Sequence, residues 1–225
     1  MRRRSVLAGI AGAASLGTAT SLAGCLDTGS GGSGGQPLSE HPASRNLDGQ
    51  PSLGDVPTAA EKVIVAFEDP TCSNCERFHT GSFQAVKREI LEPESAAYVY
   101  RPYRYTGRGW ATPAIHATLE VTAREPPVAW DLLDFYYENT YSISGGTFAD
   151  ETRSFLSENT DLDADTILAA AENRAHQSVL ETAEADGDEA GVNSTPTFFL
   201  YKNERFKNKL VGVQDVTAFQ AGFEV

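Results

Sequence analysis

The sequence predicts an α/β fold interrupted by an inserted α-helical subdomain, and three observations carry that prediction. A continuous apolar run at Val63-Ile64-Val65-Ala66-Phe67 meets a helical pattern across a short loop. Residues 110–190 then change to helical spacing throughout, and from Thr197 the chain returns to strand patterning. The element order therefore reads βαβ, helices, ββα. With 40% hydrophobic residues in 225, the chain can build a core, which argues against global disorder.

Val63–Phe67 is β-branched and apolar without alternation, as expected of a strand buried on both faces. After EDPTCSNC, the residues Cys75, Phe78, His79, Phe83, Val86, Ile90 and Leu91 recur at helical spacing. Gly81 inside that helix is expected to kink it. Tyr98-Val99-Tyr100 forms the next strand, ending near Arg101-Pro102. In the insert, Ala129, Leu132, Leu133, Tyr136 and Tyr137 share one helical face; Phe148, Thr152, Phe155 and Leu156 share a second. Ile167, Leu168, Ala171, Ala175, Val179 and Leu180 read as a third. Glu125-Pro126-Pro127 and Ser144-Gly145-Gly146 separate these helices. Thr197-Phe198-Phe199-Leu200-Tyr201 and Phe206–Val213 read as a hairpin turning at Lys202-Asn203-Glu204-Arg205. A last helix over 215–223 has Asp215 as its cap.

Before this body lies a different kind of sequence. Residues 1–25 have a basic start and an uncharged run of small and apolar residues, the pattern of an export signal. Arg3-Arg4-Ser5-Val6-Leu7 resembles a twin-arginine signal, and Leu22-Ala23-Gly24-Cys25 resembles a lipobox whose Cys25 becomes lipidated. The competing reading is an uncleaved anchor helix. Either one places the rest of the chain outside the cytoplasm, tethered to the outer face of the membrane. Residues 26–57, rich in Gly, Ser and Pro, read as a flexible tether, with Leu47 and Leu53 as a short edge element. The folded part is accordingly expected over 58–225.

Charge narrows the partners. The chain carries 31 acids against 18 bases, and only 5 of the bases are Lys. Such a surface repels nucleic acid and anionic lipid, and suits concentrated salt. The insert holds most of the excess, with 17 acids and 3 bases between residues 110 and 190.

Cys72-Ser73-Asn74-Cys75 carries the chemistry. A CxxC where a buried strand meets a helix N-terminus has a redox meaning, because free N–H groups and the helix dipole stabilise a thiolate at the first Cys. Cys72 is then the exposed attacking thiol and Cys75 the buried resolving one. The alternative is a zinc site with His79 as third ligand, although zinc normally needs four ligands and no second cysteine pair exists. A third reading is a local structural disulfide in a non-catalytic interaction module. Gly191-Val192-Asn193-Ser194-Thr195-Pro196-Thr197, about 120 residues later, places a proline in a turn feeding a strand. Such a proline is a candidate cis peptide, against an ordinary trans turn. Arg101, Arg104 and Arg108 interleave with Tyr98, Tyr100, Tyr103 and Tyr105, read as solvated Arg and half-buried Tyr at a strand edge.

On Phe67–Cys75, Gly191–Pro196 and Thr197-Phe198-Phe199, the chain resembles the thioredoxin superfamily, most closely the DsbA-like thiol–disulfide oxidoreductases with a helical insert. The resemblance covers about residues 58–225. It implies a thioredoxin-like fold, a cis Pro196 facing Cys72, and a Thr195 backbone that binds an extended substrate. It also implies protein thiol or disulfide substrates, no cofactor, and regeneration by a membrane quinone-linked oxidase or a dithiol donor. Two departures stand out. Ser73 replaces the proline common after the first Cys, so the family's redox poise does not transfer. Ala66 stands where thioredoxin carries a buried acid, leaving Glu68 or Asp69 as candidate proton acceptor for Cys75. With Glu76, those acids are expected to raise the Cys72 pKa in a salt-dependent way.

Overall fold

The computed structural model describes residues 35–225; the export signal, Cys25 and the first part of the tether lie outside them. The elements are β1 (Ser52–Gly54), β2 (Lys62–Glu68), α1 (Ser73–Arg77), α2 (Phe83–Val86) and β3 (Ala96–Pro102). The insert comprises α3 (Ala111–Arg124), α4 (Pro126–Glu138), α5 (Phe148–Asn159), α6 (Ala164–Glu172) and α7 (Gln177–Glu189). β4 (Thr197–Lys202), β5 (Arg205–Val211) and α8 (Val216–Gly222) close the chain. Among the described residues, no helix is long and apolar enough to cross a membrane.

The five strands lie in the order β1-β3-β2-β4-β5. β2 runs parallel to β3 and antiparallel to β4, pairing Val65 with both Val99 and Phe199. β2 is thus central and buried on both faces, as its unbroken apolar run requires. On one face, Ile64, Ala66, Tyr98, Tyr100, Phe198 and Leu200 pack against Phe78, Phe83, Trp130, Leu133 and Tyr137. The opposite face takes Val63, Val65, Phe67, Val99, Phe199 and Tyr201. The insert has its own core, including Trp110, Val121, Leu132, Tyr136, Phe148 and Ile167. Each such side chain contributes about 1.5–3 kcal/mol by leaving water.

Local chemistry sets the joints. Glu125, preceding Pro126, takes φ −146° and ψ 78°, outside the helical region, so α3 stops and α4 starts with proline in its first turn. Asp163 caps α6 by accepting from the Asp165 and Thr166 N–H groups, and Asp215 caps α8 through Ala218 N–H. Around Gly81 the first helix widens into a π turn over Phe78–Ser82, and a second follows at Lys87–Leu91. Such turns recur at functional sites.

Three expectations need correction. The third helical face is two helices: α6 ends at Glu172, Arg174 takes a positive φ of 52°, and α7 starts at Gln177, leaving Ala175 exposed. The tether does not extend to residue 57, and the folded part does not begin at Thr58. Pro37 bridges to Arg205, Leu38 and Ala43 are buried, and Leu53 lies in β1 beside β3. A Gly/Ser/Pro-rich segment still docks when its few apolar residues fill an open sheet face. Leu47 packs against that face without joining a strand. The first half of the Arg/Tyr stripe is not a solvated edge either: Arg101, Tyr98 and Tyr100 are fully buried, whereas Arg104 and Arg108 are exposed and Tyr103 half-buried, as expected. Arg104 pairs with Glu184, and Arg108 donates to the Thr140 carbonyl at 2.8 Å.

Candidate active site

The site lies where β2 ends and α1 begins. Cys72 is the extended N-cap of α1, at φ −84° and ψ 126°. Its carbonyl accepts the first helical bond from Glu76 N–H, and its own N–H donates to the Asp69 carbonyl. No side chain caps this helix end, so its free N–H groups and dipole face the Cys72 sulfur. Both cysteines are thiols here. Cys72 Sγ lies 3.4 Å from the Thr195 carbonyl oxygen, to which it donates. The Thr195–Pro196 peptide is cis, and the Cys72–Thr195 contact brings the turn before β4 to the dithiol.

The two thiols are driven apart in acidity. The Cys72 pKa is lowered to about 6, first by the Cys75 thiol donating to it; burial opposes this. The Thr195 hydroxyl, which has no other partner among the described residues, and the Cys75 and Asn74 N–H groups add to the lowering. Cys75 is pushed well above the ordinary thiol value, first by complete burial, then by the Cys72 thiol and the Glu68 charge. The arrangement therefore favours a thiolate at Cys72 in front of a protonated Cys75. Cys72 is less open than the sequence implies, at 4% exposed, because the Thr195 turn covers it.

The candidate acids separate by strand geometry. Glu68 shares a face of β2 with Ile64 and Ala66, since side chains repeat every second residue. Its carboxylate is fully buried on the Cys75 side of the sheet. One oxygen meets His79 Nε2 at 2.7 Å and accepts from the Tyr137 hydroxyl at 2.9 Å; the other accepts from the Tyr98 hydroxyl. Glu68 thus supplies a buried acid although Ala66 occupies the usual place. Asp69 cannot serve Cys75. Its Oδ1 accepts from Thr71 N–H, and its Oδ2 from the N–H groups of Tyr105 and Thr106. Only its backbone touches the Cys75 sulfur.

The expected salt-sensitive acidity of Cys72 is also corrected. Glu68 and Asp69 are fully buried, beyond ionic screening, and Glu68 acts on Cys75. Half-buried Glu76 bonds Thr80. His79 is not turned toward the cysteines as a ligand: it stacks on Tyr137 at 4.0 Å and faces Glu68 and Asp134. Tyr98, Tyr137 and Asp134 are site residues that sequence reasoning missed. The two-residue alternation of β2, extended to Glu68, is the signal that points to this cluster.

A thiol of lowered pKa paired with a buried thiol at a helix N-terminus, beside a cis-proline turn on a mixed sheet, is the arrangement of a thioredoxin-type protein. The family model for thioredoxin (Thioredoxin_4) matches residues 48–218, and the chain belongs to that family. Its fold is similar to oxidised BdbD from Bacillus subtilis, at 21% identity and a TM-score of 0.61, covering 78% of this chain and 89% of that one. Pseudomonas aeruginosa DsbA2 matches at 20% identity and TM-score 0.64, covering 77% and 91%. Chlamydia trachomatis DsbA matches at 18% identity and TM-score 0.62, covering 76% and 87%. The fold is therefore the DsbA-like thioredoxin fold with its helical insertion. No curated protein matches the chain.

Proposed function

We propose that this chain is an exported, membrane-tethered thiol–disulfide oxidoreductase that exchanges disulfides with protein substrates through Cys72 and Cys75, favouring oxidation or isomerisation. One observation carries the reading: a Cys72 thiol lowered to about 6 lies against Thr195–Pro196, with a protonated Cys75 buried behind it. In the oxidising direction, a substrate thiolate attacks Cys72 Sγ of the Cys72–Cys75 disulfide. Cys75 leaves as a thiolate and takes a proton, with Glu68 as donor. A second substrate thiolate then attacks the substrate sulfur of the mixed disulfide and releases Cys72. A low-pKa thiol leaves faster, so the acidity of Cys72 favours this release.

Exposed apolar side chains lie on the segments bonded to Asp69 and to Pro196, which suits a polypeptide substrate. Tyr105, 51% exposed, donates its backbone N–H to Asp69 Oδ2; Val211 and Val213 flank Gly212, whose N–H donates to the Pro196 carbonyl. Pairing of the Thr195 backbone with an extended substrate belongs to the same reading. A membrane quinone-linked oxidase would regenerate the disulfide, or a dithiol donor would run the reverse reaction. Titrating thiolate absorbance in the reduced protein is expected to give one midpoint near pH 6, removed by Cys72→Ser. A midpoint above about 8, near that of a free thiol, would sink the reading.

Tethering to the outer face through lipidated Cys25 rests on the sequence of residues 1–25. Cys25→Ser is expected to move the protein from the membrane to the soluble fraction. Continued membrane association would instead support an uncleaved anchor.

A further inference from the structure

Cys75 and Glu68 are both fully buried, yet every opening or closing of the disulfide moves a proton at Cys75. If Glu68 takes that proton, as in the function proposed above, it must return to water. Tyr98 and Tyr137 offer no exit: burial and the Glu68 charge push both hydroxyls well above the ordinary tyrosine value. His79 differs, because its second nitrogen, itself buried, faces the partly exposed carboxylate of Asp134. Nε2 meets Glu68 at 2.7 Å, while Nδ1 has no hydrogen bond among the described residues and lies 3.5 Å from Asp134 Oδ1. Asp134, on α4, is about one-third exposed, with Lys87 Nζ 4.0 Å from its other oxygen. The ring is clamped by Tyr137 on one side and Phe83 at 4.4 Å.

We propose that His79, with Asp134, is the proton relay between buried Glu68 and solvent, serving the Cys75 half of disulfide exchange. This rests on Glu68 as the proton acceptor. In the closing step, Cys75 gives its proton to Glu68, and the Cys75 thiolate attacks the Cys72 sulfur of the mixed disulfide. The Cys72–Cys75 bond forms, the Cys72–substrate bond breaks, and the substrate sulfur leaves with the electron pair as a thiolate. Glu68 hands that proton to His79 Nε2 and the His79 Nδ1 proton leaves past Asp134 to water, so Glu68 returns to a carboxylate and one proton leaves the buried cluster for each bond closed. Opening runs the reverse path.

The titration of His79 fits this role. Burial alone would lower its pKa, but the carboxylates of Glu68 and Asp134 outweigh it and raise the value above 6.5. The facing groups are Glu68 from β2, and Tyr137 and Asp134 from α4, with Tyr98 of β3 behind Glu68 and Lys87 behind Asp134.

Rapid acid quench of the reduced protein mixed with a disulfide peptide separates attack by Cys72 from closure by Cys75. His79→Gln is expected to slow closure roughly 10²-fold and erase its inflection above about pH 6.5, while attack keeps the wild-type rate. That unchanged attack also shows the variant is folded. Asp134→Asn, at the surface, is expected to move the inflection to lower pH with a smaller rate loss. Wild-type closure with an unaltered pH profile in both variants overturns the relay. Glu68→Gln separates the two layers. If it slows closure while His79→Gln does not, Glu68 stands and the relay falls; if it closes at the wild-type rate, both fall.

Discussion

Serine at Cys72 is expected to abolish disulfide exchange, whereas serine at Cys75 is expected to leave a mixed disulfide that accumulates. The first outcome follows from position: Cys72 holds the thiolate at the helix N-terminus, and Cys75 is wholly buried. A thiol lowered to about 6 is roughly nine-tenths thiolate at pH 7, against about one per cent at the ordinary value of 9.0. Intrinsic nucleophilicity falls with pKa at a slope of about 0.4–0.5, so most of that ~90-fold gain is lost in attack. The larger consequence is for Cys72 as a leaving group and for the stability of the dithiol. Because the pKa is depressed, stabilisation of the reduced form is absent below about pH 6 and grows as pH rises toward 9.0. At pH 7 it lies between about 1 and 2 kcal/mol, or ~30 mV toward the oxidising side. Mass spectrometry of quenched reactions with a disulfide peptide tests both variants. Exchange surviving Cys72→Ser, or no trapped species with Cys75→Ser, would contradict the assignment.

Arg101→Ala destabilises the fold by about 3–5 kcal/mol, a large share of the ~5–15 kcal/mol typical of a domain. Arg101 is fully buried, at 0% exposed. Its guanidinium donates to Asp186 at 2.9 Å and to the carbonyls of Ala43 and Arg45, and lies over the Phe67 ring at 5.4 Å. Asp186 also accepts from Arg45 and Asn46 at 3.0 Å each. One side chain thus joins β3, α7 and the segment before β1. Truncating it leaves Asp186 and the Ala43 and Arg45 carbonyls short of a donor, whereas exchanging Arg101 and Asp186 together for apolar residues removes the cost at Asp186. The denaturation midpoint should therefore fall sharply in Arg101→Ala and recover in part in the double variant R101M/D186L. Proteolysis of the single variant should begin within residues 41–57. An unchanged midpoint would show that the cluster is neutral.

Much of this is legible without coordinates. The apolar run of β2, the helical spacing of the insert, the cap at Asp215 and the dithiol at a strand–helix junction are all local patterns. Periods of about 2 and 3.6 residues report which face is buried. Sequence reasoning fails where that signal is silent. Arg101 reads as a surface residue because charge normally marks solvent, yet its partner Asp186 lies 85 positions away. The segment from residue 36 reads as tether because Gly and Ser mask a few docking residues.

The site divides in the same way. The order of its residues points to Cys72 as the proposed nucleophile and Cys75 as its buried partner, since a strand, a loop and a helix start position both locally. The contact of Cys72 with Thr195, 123 positions away, needs the sheet to place β4 beside β2. The cluster of Glu68, His79, Tyr98 and Tyr137 likewise draws on β2, the first helix, β3 and α4. Polar residues carry no periodicity that declares them buried; only packing four elements together removes water and turns a strand-end glutamate into a candidate proton acceptor.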